Sequence, residues 1–292
     1  AGLSEALLGF SSKRKLPVWS SNPFRLDETG SENAGGPEVV LWADTFSTYF
    51  EPENARAAAK VLGAAGYRVH LAKSVVGNRP LCCGRTFLAA GLVDEAKAEA
   101  RRMLDALRPF VERGVPVVGL EPSCLFTLRD EFKAMFPGED TDKLANSALL
   151  FEEFLAREHD TGALTLDLES AAGNRAMLHG HCHQKAFDAM SAVETVLRLI
   201  PDLEVETIRS GCCGMAGAFG FDADHYDVSM KMGELDLLPA VREVAEEDLI
   251  VAAGTSCRHQ IRDGADRTAR HPALVLEAAL KDDQRDLDDA SR

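Results

Sequence analysis

With 292 residues, 46% apolar and 27% charged, the chain carries enough apolar sequence for a full core and falls outside the disordered, collagen-like and small disulfide-stapled classes. At roughly 100 to 200 residues per domain, two lobes are expected. The 32 Lys and Arg against 47 Asp and Glu leave a net charge of -15, the wrong sign for gathering nucleic acid or anionic lipid, so neither is expected as a partner.

Residues 1–37 mix Ser, Pro, Gly and scattered charge without a sustained period, and read as a linker or loosely packed lead-in. EVVLWA (38–43) predicts a strand, and Pro52 and Gly66 suit the first position and the C-cap of a helix over 52–65. YRVHLA (67–72) predicts the next strand. Val93, Ala96, Ala100, Met103, Leu104, Leu107, Phe110 and Val111 recur at helical steps, with Gly114 as a stop. VPVVGL (115–120) predicts a third strand, and residues 140–170 a helical and loop connection. Further strands are predicted at RAMLHG (175–180), LEVETI (203–208) and DLIVAA (248–253). Phe187, Met190, Val193, Val196, Leu197 and Ile200 form a helical stripe that Pro201 ends. Residues 281–292 are polar throughout and read as a flexible tail.

Strands alternating with helices imply an α/β fold with parallel sheets covered by helices. The order strand, helix, strand, CCG, helix, strand, SC, helix occurs twice, with Cys82 and Cys212 as counterparts and likewise Cys124 and Cys257. The expected architecture is therefore two similar open parallel-sheet lobes related by a pseudo-twofold axis, a first over 38–170 with its connecting helices and a second over 171–280. A single large sheet is the alternative. No stretch approaches the roughly 18 uninterrupted apolar residues of a membrane span, and the start lacks the features of a secretory signal. A cytoplasmic location is expected, with peripheral docking to the inner face of the cell membrane left open.

In open parallel sheets, ligands sit in the crevice beyond the carboxyl ends of the strands, where loops converge. Every cysteine lies after a predicted strand: Cys182 after RAMLHG, Cys212 and Cys213 after LEVETI, Cys257 after DLIVAA, and Cys82, Cys83 and Cys124 in the first lobe, with Asp44 at the place corresponding to Cys182. Seven cysteines in a reducing compartment point to metal or redox chemistry rather than a disulfide framework. Four convergent thiolates, Cys182, Cys212, Cys213 and Cys257, are the donor set of a [4Fe-4S] cluster or of tetrahedral zinc. Cys124 and Cys257 are expected to open helices, where unsatisfied amides favour a thiolate. Lys185 and Arg258 are expected to balance cluster charge, and Gly84 and Gly214 to let the backbone turn sharply beside the sulfurs.

LCCGRTF, EPSC, HGHCHQKA, GCCGMAGAFG and GTSC together resemble the duplicated cysteine-rich CCG domain. That domain occurs in heterodisulfide reductase, in the iron-sulfur subunit of glycolate oxidase, and in the C-terminal part of FAD-linked D-lactate and D-2-hydroxyglutarate dehydrogenases. WADTFSTYFEP and GLEPSCLFTLRDE look most like the last group. The resemblance implies an electron-transfer module holding a [4Fe-4S] cluster. Electrons would come from FAD on an upstream flavin domain, with a ferredoxin-type domain in the same longer protein, and would leave to a quinone or other carrier. It implies that this chain alone is not catalytic, and no catalytic residue is assigned. The chain departs from the family's fullest motif, which has five sulfurs per lobe: Gly254 stands where a closing CxxC would begin, and the first lobe has Asp44 for the first cysteine and Glu121 in EPSC. The second lobe can hold one ordinary cluster, whereas Cys82, Cys83, Cys124 and Asp44 form a second site suited to zinc, a weak cluster or no metal.

Ordinary readings stand beside these. His181 and His183 flank Cys182 and leave a mixed Cys/His zinc site open, while a hydrogen-bonded structural role is the commoner fate of His179, His181 and His183. Asp44 is weighed as a helix cap above a ligand, and Glu121 as a loop anchor. Cys82, Cys83 and Cys124 are weighed equally as packing residues of a former site. A zinc-stabilised docking module and a dithiol reductase using Cys212 and Cys213 are the alternatives to electron transfer. Gly211, Gly214, Gly217 and Gly220 lack GxGxxG spacing, so dinucleotide binding is rejected.

Overall fold

The computed structural model describes residues 5, 8–25, 35–77, 79–171, 173 and 175–281. The predicted tail, Lys281 apart, and part of the lead-in lie outside them. The chain divides into two compact units, Trp19–Glu169 with Leu276–Arg292, and Ala1–Val18 with Ser170–Val275.

The first unit begins with β1 (Glu38–Trp42), a run of apolar residues whose last four are buried, as a strand covered on both faces must be. Short α1 (Thr45–Tyr49) and α2 (Pro52–Ala64) follow, the latter burying Ala55, Ala58, Val61 and Leu62 as one face. Then come β2 (Arg68–Leu71), α3 (Arg85–Ala89), α4 (Val93–Val111), β3 (Val117–Gly119), α5 (Pro122–Arg129), α6 (Glu131–Met135), α7 (Glu139–Ser147), β4 (Ala148–Leu150) and α8 (Phe151–Asp160). The sheet is parallel in the order β2-β1-β3-β4, with Val40 opposite both His70 and Val117. β4 falls within the stretch expected as helix and loop. At three residues running directly into α8, it carries neither a strand period nor a turn residue to announce it.

The second unit contains β5 (Arg175–His179), α9 (Cys182–Ala186), α10 (Met190–Leu197), β6 (Glu204–Thr207), α11 (Tyr226–Leu235), α12 (Leu237–Arg242), β7 (Leu249–Ala252) and α13 (Thr255–Ala265). Its sheet is also parallel, in the order β6-β5-β7, the same permutation as β2-β1-β3. Two separate sheets rule out the single-sheet alternative. The last described helix is α14 (Pro272–Ala279).

Part of the expected loose lead-in is built into the second unit. Arg14 is buried, donates from Nε to Gly220 O (2.9 Å) and from Nη2 to Ser229 Oγ (2.8 Å), and pairs with Asp263 at 3.3 Å. Nothing local marks this arginine, because the hydrogen-bond partners of its guanidinium lie more than 200 residues away in sequence. Ser20 and Phe24 donate backbone N–H groups to Tyr49 and Thr48 in the first unit.

Candidate metal centre

In the second unit the chain passes from β5 to β6 on one side and then to β7 on the other, so the carboxyl ends of β5 and β7 flank a topological switch point. Cys182 opens α9 just beyond β5, and Cys257 lies in the first turn of α13 just beyond β7. The loop after β6 delivers Cys212 and Cys213. Cys182 is exposed, Cys212 half-buried, and Cys213 and Cys257 buried.

The four thiols shift one another's titration in the order Cys182, Cys212, Cys213, Cys257. The Cys182 thiol is held well above its ordinary range because it donates to Cys212. Cys212 is correspondingly brought down to about 2 by the thiols of Cys182 and Cys213 and by the amide of Gly214, which stands 3.4 Å from its Sγ. Cys213, between two acceptors and buried, is pushed up. Cys257 is lowered by the Cys213 thiol and then by the rings of His179 and His181.

The surrounding residues hold the loops. His179 Nδ1 meets Ser210 Oγ at 2.9 Å, which orients the ring toward Cys257. His181 is the N-cap of α9: its Nδ1 accepts from His183 N at 3.1 Å and lies 3.9 Å from the Cys182 sulfur, while the His183 ring packs edge-on against it at 5.0 Å. Lys185 donates to the carbonyls of Ser210 and Gly211, clamping the approach to the cysteine pair, and burial lowers its pKa. Arg258 donates to Ala252 O (2.9 Å), Ala253 O (2.7 Å) and Thr255 Oγ1 (3.0 Å), so it braces the β7–α13 turn. Of these, Ser210 lies outside every motif, and Gln184, whose Oε1 accepts from His181 N at 3.0 Å, lies within HGHCHQKA without a residue type that marks it as functional.

Gly214 and Gly84 adopt left-handed φ values of 90° and 79°. Their close approach is to a helix: a Cβ would stand 2.3 Å from Ser229 O at Gly214 and 3.0 Å from Ala96 O at Gly84. Each aims its amide back at the sulfur two residues earlier, at 3.4 Å in both loops.

The first unit repeats the run with three sulfurs, Cys82 to Cys83 to Cys124. Here all three thiols are raised. Cys82 donates to Cys83 and Cys83 to Cys124. Cys124 gains from the Cys83 thiol, but burial and the carboxylates of Asp44 and Glu121 outweigh that and push it up to about 11. Asp44 is the N-cap of α1: Oδ1 accepts from Phe46 N (2.8 Å) and Ser47 N (3.1 Å), and Oδ2 from Ser47 Oγ (2.9 Å). Burial, then the neighbouring Glu121, raises its pKa to about 6. Glu121 likewise caps α5, accepting from Ser123 Oγ at 2.7 Å.

Among the described residues, no group of three or more His, Cys, Asp or Glu is arranged as a ready metal cage. By donor type the four cysteines of the second unit suit a thiophilic metal or cluster. The first unit offers three protonated thiols and a carboxylate already committed to a cap. Among the described residues, no helix is long and apolar enough to cross a membrane.

A family model for a cysteine-rich domain, CCG, matches residues 44–129 and again 176–262. One of the subunits of the anaerobic glycerol-3-phosphate dehydrogenase of Escherichia coli is 29% identical over 284 residues, 95% of this chain and 69% of that protein. A D-2-hydroxyglutarate dehydrogenase of Pseudomonas putida is 30% identical over 241 residues, 82% of this chain and 22% of that protein. Lactate utilization protein A 2 of Bacillus cereus is 23% identical over 258 residues, 83% of this chain and 99% of that protein. With two matched copies covering more than half its length, this chain belongs to the CCG cysteine-rich domain family.

Proposed function

We propose that the chain is the electron-transfer part of an FAD-linked dehydrogenase, with Cys182, Cys212, Cys213 and Cys257 holding a [4Fe-4S] cluster. The observation that carries this is that the loops after β5, β6 and β7 deliver Cys182, Cys212, Cys213 and Cys257 to the carboxyl end of one sheet, at its switch point. When bound, the cluster would carry single electrons between a flavin domain, accompanied by a ferredoxin-type domain, and a quinone or other carrier. The substrate at the flavin is a D-lactate-like 2-hydroxy acid in this reading, and the glycerol-3-phosphate dehydrogenase relative adds a phosphate ester to the candidates. The chain's own residues fix the loops: Lys185 and Arg258 by their carbonyl contacts, His181 by capping α9, Gly214 by its amide on Cys212. In the first unit, the capping role of Asp44 and the protonated thiols favour cysteines that pack the loops without metal.

Zinc in a docking module is the second reading. It is favoured by the imidazole of His181, whose Nδ1 lies 3.9 Å from the Cys182 sulfur and adds a nitrogen donor type beside the thiols. Iron, acid-labile sulfide and zinc analysis of anaerobically purified chain tests both. The expected result is about four irons and four sulfides per chain, lost in Cys213→Ser and retained in Cys83→Ser. Stoichiometric zinc without iron selects the second reading, and metal-free folded protein overturns both.

A further inference from the structure

The loop that leads to the cysteine pair is longer in the first unit. From the end of β2 at Leu71 to Cys82 is 11 residues, whereas from the end of β6 at Thr207 to Cys212 is 5. Lys73, Ser74, Gly77, Arg79 and Pro80 of this longer loop form one wall of a crevice of about 480 Å³ at the carboxyl ends of β1 and β2, on the opposite side of β1 from the switch point where Cys124 lies. Its volume falls within the range of small-molecule sites, roughly 300 to 1,000 Å³.

The lining is selective. Phe24, Leu71 and Leu81 supply apolar floor, and Arg25, Lys73 and Arg79 supply charge, with no acidic residue among the described residues that line it. In a chain where acids outnumber bases by 47 to 32, three cations with no carboxylate among the described lining residues are a local reversal of the overall charge. The wall is anchored before any ligand arrives: Arg102 of α4 donates to Arg79 O (2.6 Å), Pro80 O (3.1 Å) and Ser74 Oγ (3.4 Å). Glu99, buried beneath, is shared by Arg79 and Arg102, so this trio leaves a net positive charge at the rim. Arg25 and Lys73 have no hydrogen-bond or ion-pair partner among the described residues and are exposed at the mouth.

We propose that this crevice binds a small organic anion, an oxyanion head held by Arg25, Lys73 and Arg79 with an apolar body against Phe24, Leu71 and Leu81. The site is separate from the sulfur run of the second unit and does not depend on what those sulfurs hold.

Calorimetric titration of the full chain with phenyl phosphate, phenylacetate, benzyl alcohol and benzylamine tests it. The expected result is one-to-one binding of at least one of the two anions and none of the alcohol or amine. Preference for phenyl phosphate points to a phosphate ligand and preference for phenylacetate to a carboxylate. In the double variant Arg25→Met/Lys73→Met, which alters only exposed side chains, the affinity falls at least roughly tenfold, about 1.4 kcal/mol. Unaltered circular dichroism shows that the variant is folded. Arg79 is kept because its guanidinium braces Glu99. Failure of both anions to bind at about 10 mM, equal binding of benzyl alcohol, or an unchanged affinity in the folded double variant overturns the proposal.

Discussion

The ring of His181 fills the space in which position 254 would place a side chain: a Cβ built on Gly254 would stand 2.4 Å from its Cδ2. The backbone at Gly254 is ordinary extended, φ -84° and ψ 130°, so glycine is required there by space and not by conformation. His181 cannot readily move away, because its Nδ1 caps α9 through His183 N. The departure from the family's closing CxxC thus has a local cause in the loop carrying Cys182. Gly254→Ala is expected to cost about 1–3 kcal/mol by overpacking, measured by urea denaturation. Pairing it with His181→Ala is expected to recover part of that loss, and strictly additive losses in the double-mutant cycle would show that the two residues do not collide.

Arg14 fastens the lead-in to the loop that follows the second cysteine pair. Both members of its ion pair are nearly sealed from water, with side-chain exposures of 0% for Arg14 and 7% for Asp263. Removing the guanidinium leaves Ser229 Oγ and Gly220 O without their donor and Asp263 with Arg262 at 3.4 Å as its remaining cation. Arg14→Met is expected to lower stability by about 3–5 kcal/mol, with Arg14→Lys intermediate because an ammonium cannot span the fork of acceptors. A urea midpoint unchanged in Arg14→Met would contradict this placement.

Asp44 stands at the place of Cys182 in the first unit and spends both oxygens on the start of α1. As a cap, Asp44→Ala is expected to cost about 1–2 kcal/mol and Asp44→Asn about 0.5 kcal/mol or less, since an amide oxygen can still accept from the same N–H groups. Metal content is expected to be the same in wild type and both variants. Loss of metal in Asp44→Asn with stability retained would reassign Asp44 as a ligand.

Much of the fold was legible locally. All six predicted strands occur, trimmed only at their ends, because β-branched runs bounded by turns and caps announce buried parallel strands without reference to the rest of the chain. Asp44 was readable as a cap, and Glu121 as an anchor to backbone amides, because a carboxylate just ahead of a helix has free amides to accept from. β4 was not legible, since three residues are too few to show a period.

The residue types, their order after each strand, and the duplication of that order are properties of the chain read linearly, and they suffice to nominate seven cysteines and two lobes. Folding alone settles which atoms of those residues meet. That Cys213 stands between Cys212 and Cys257, that His181 excludes a side chain at Gly254, and that Arg14 reaches Ser229 are contacts across loops far apart in sequence. Such contacts leave no periodicity behind, because they depend on where strand ends and helix starts converge and not on the spacing of neighbours along the backbone.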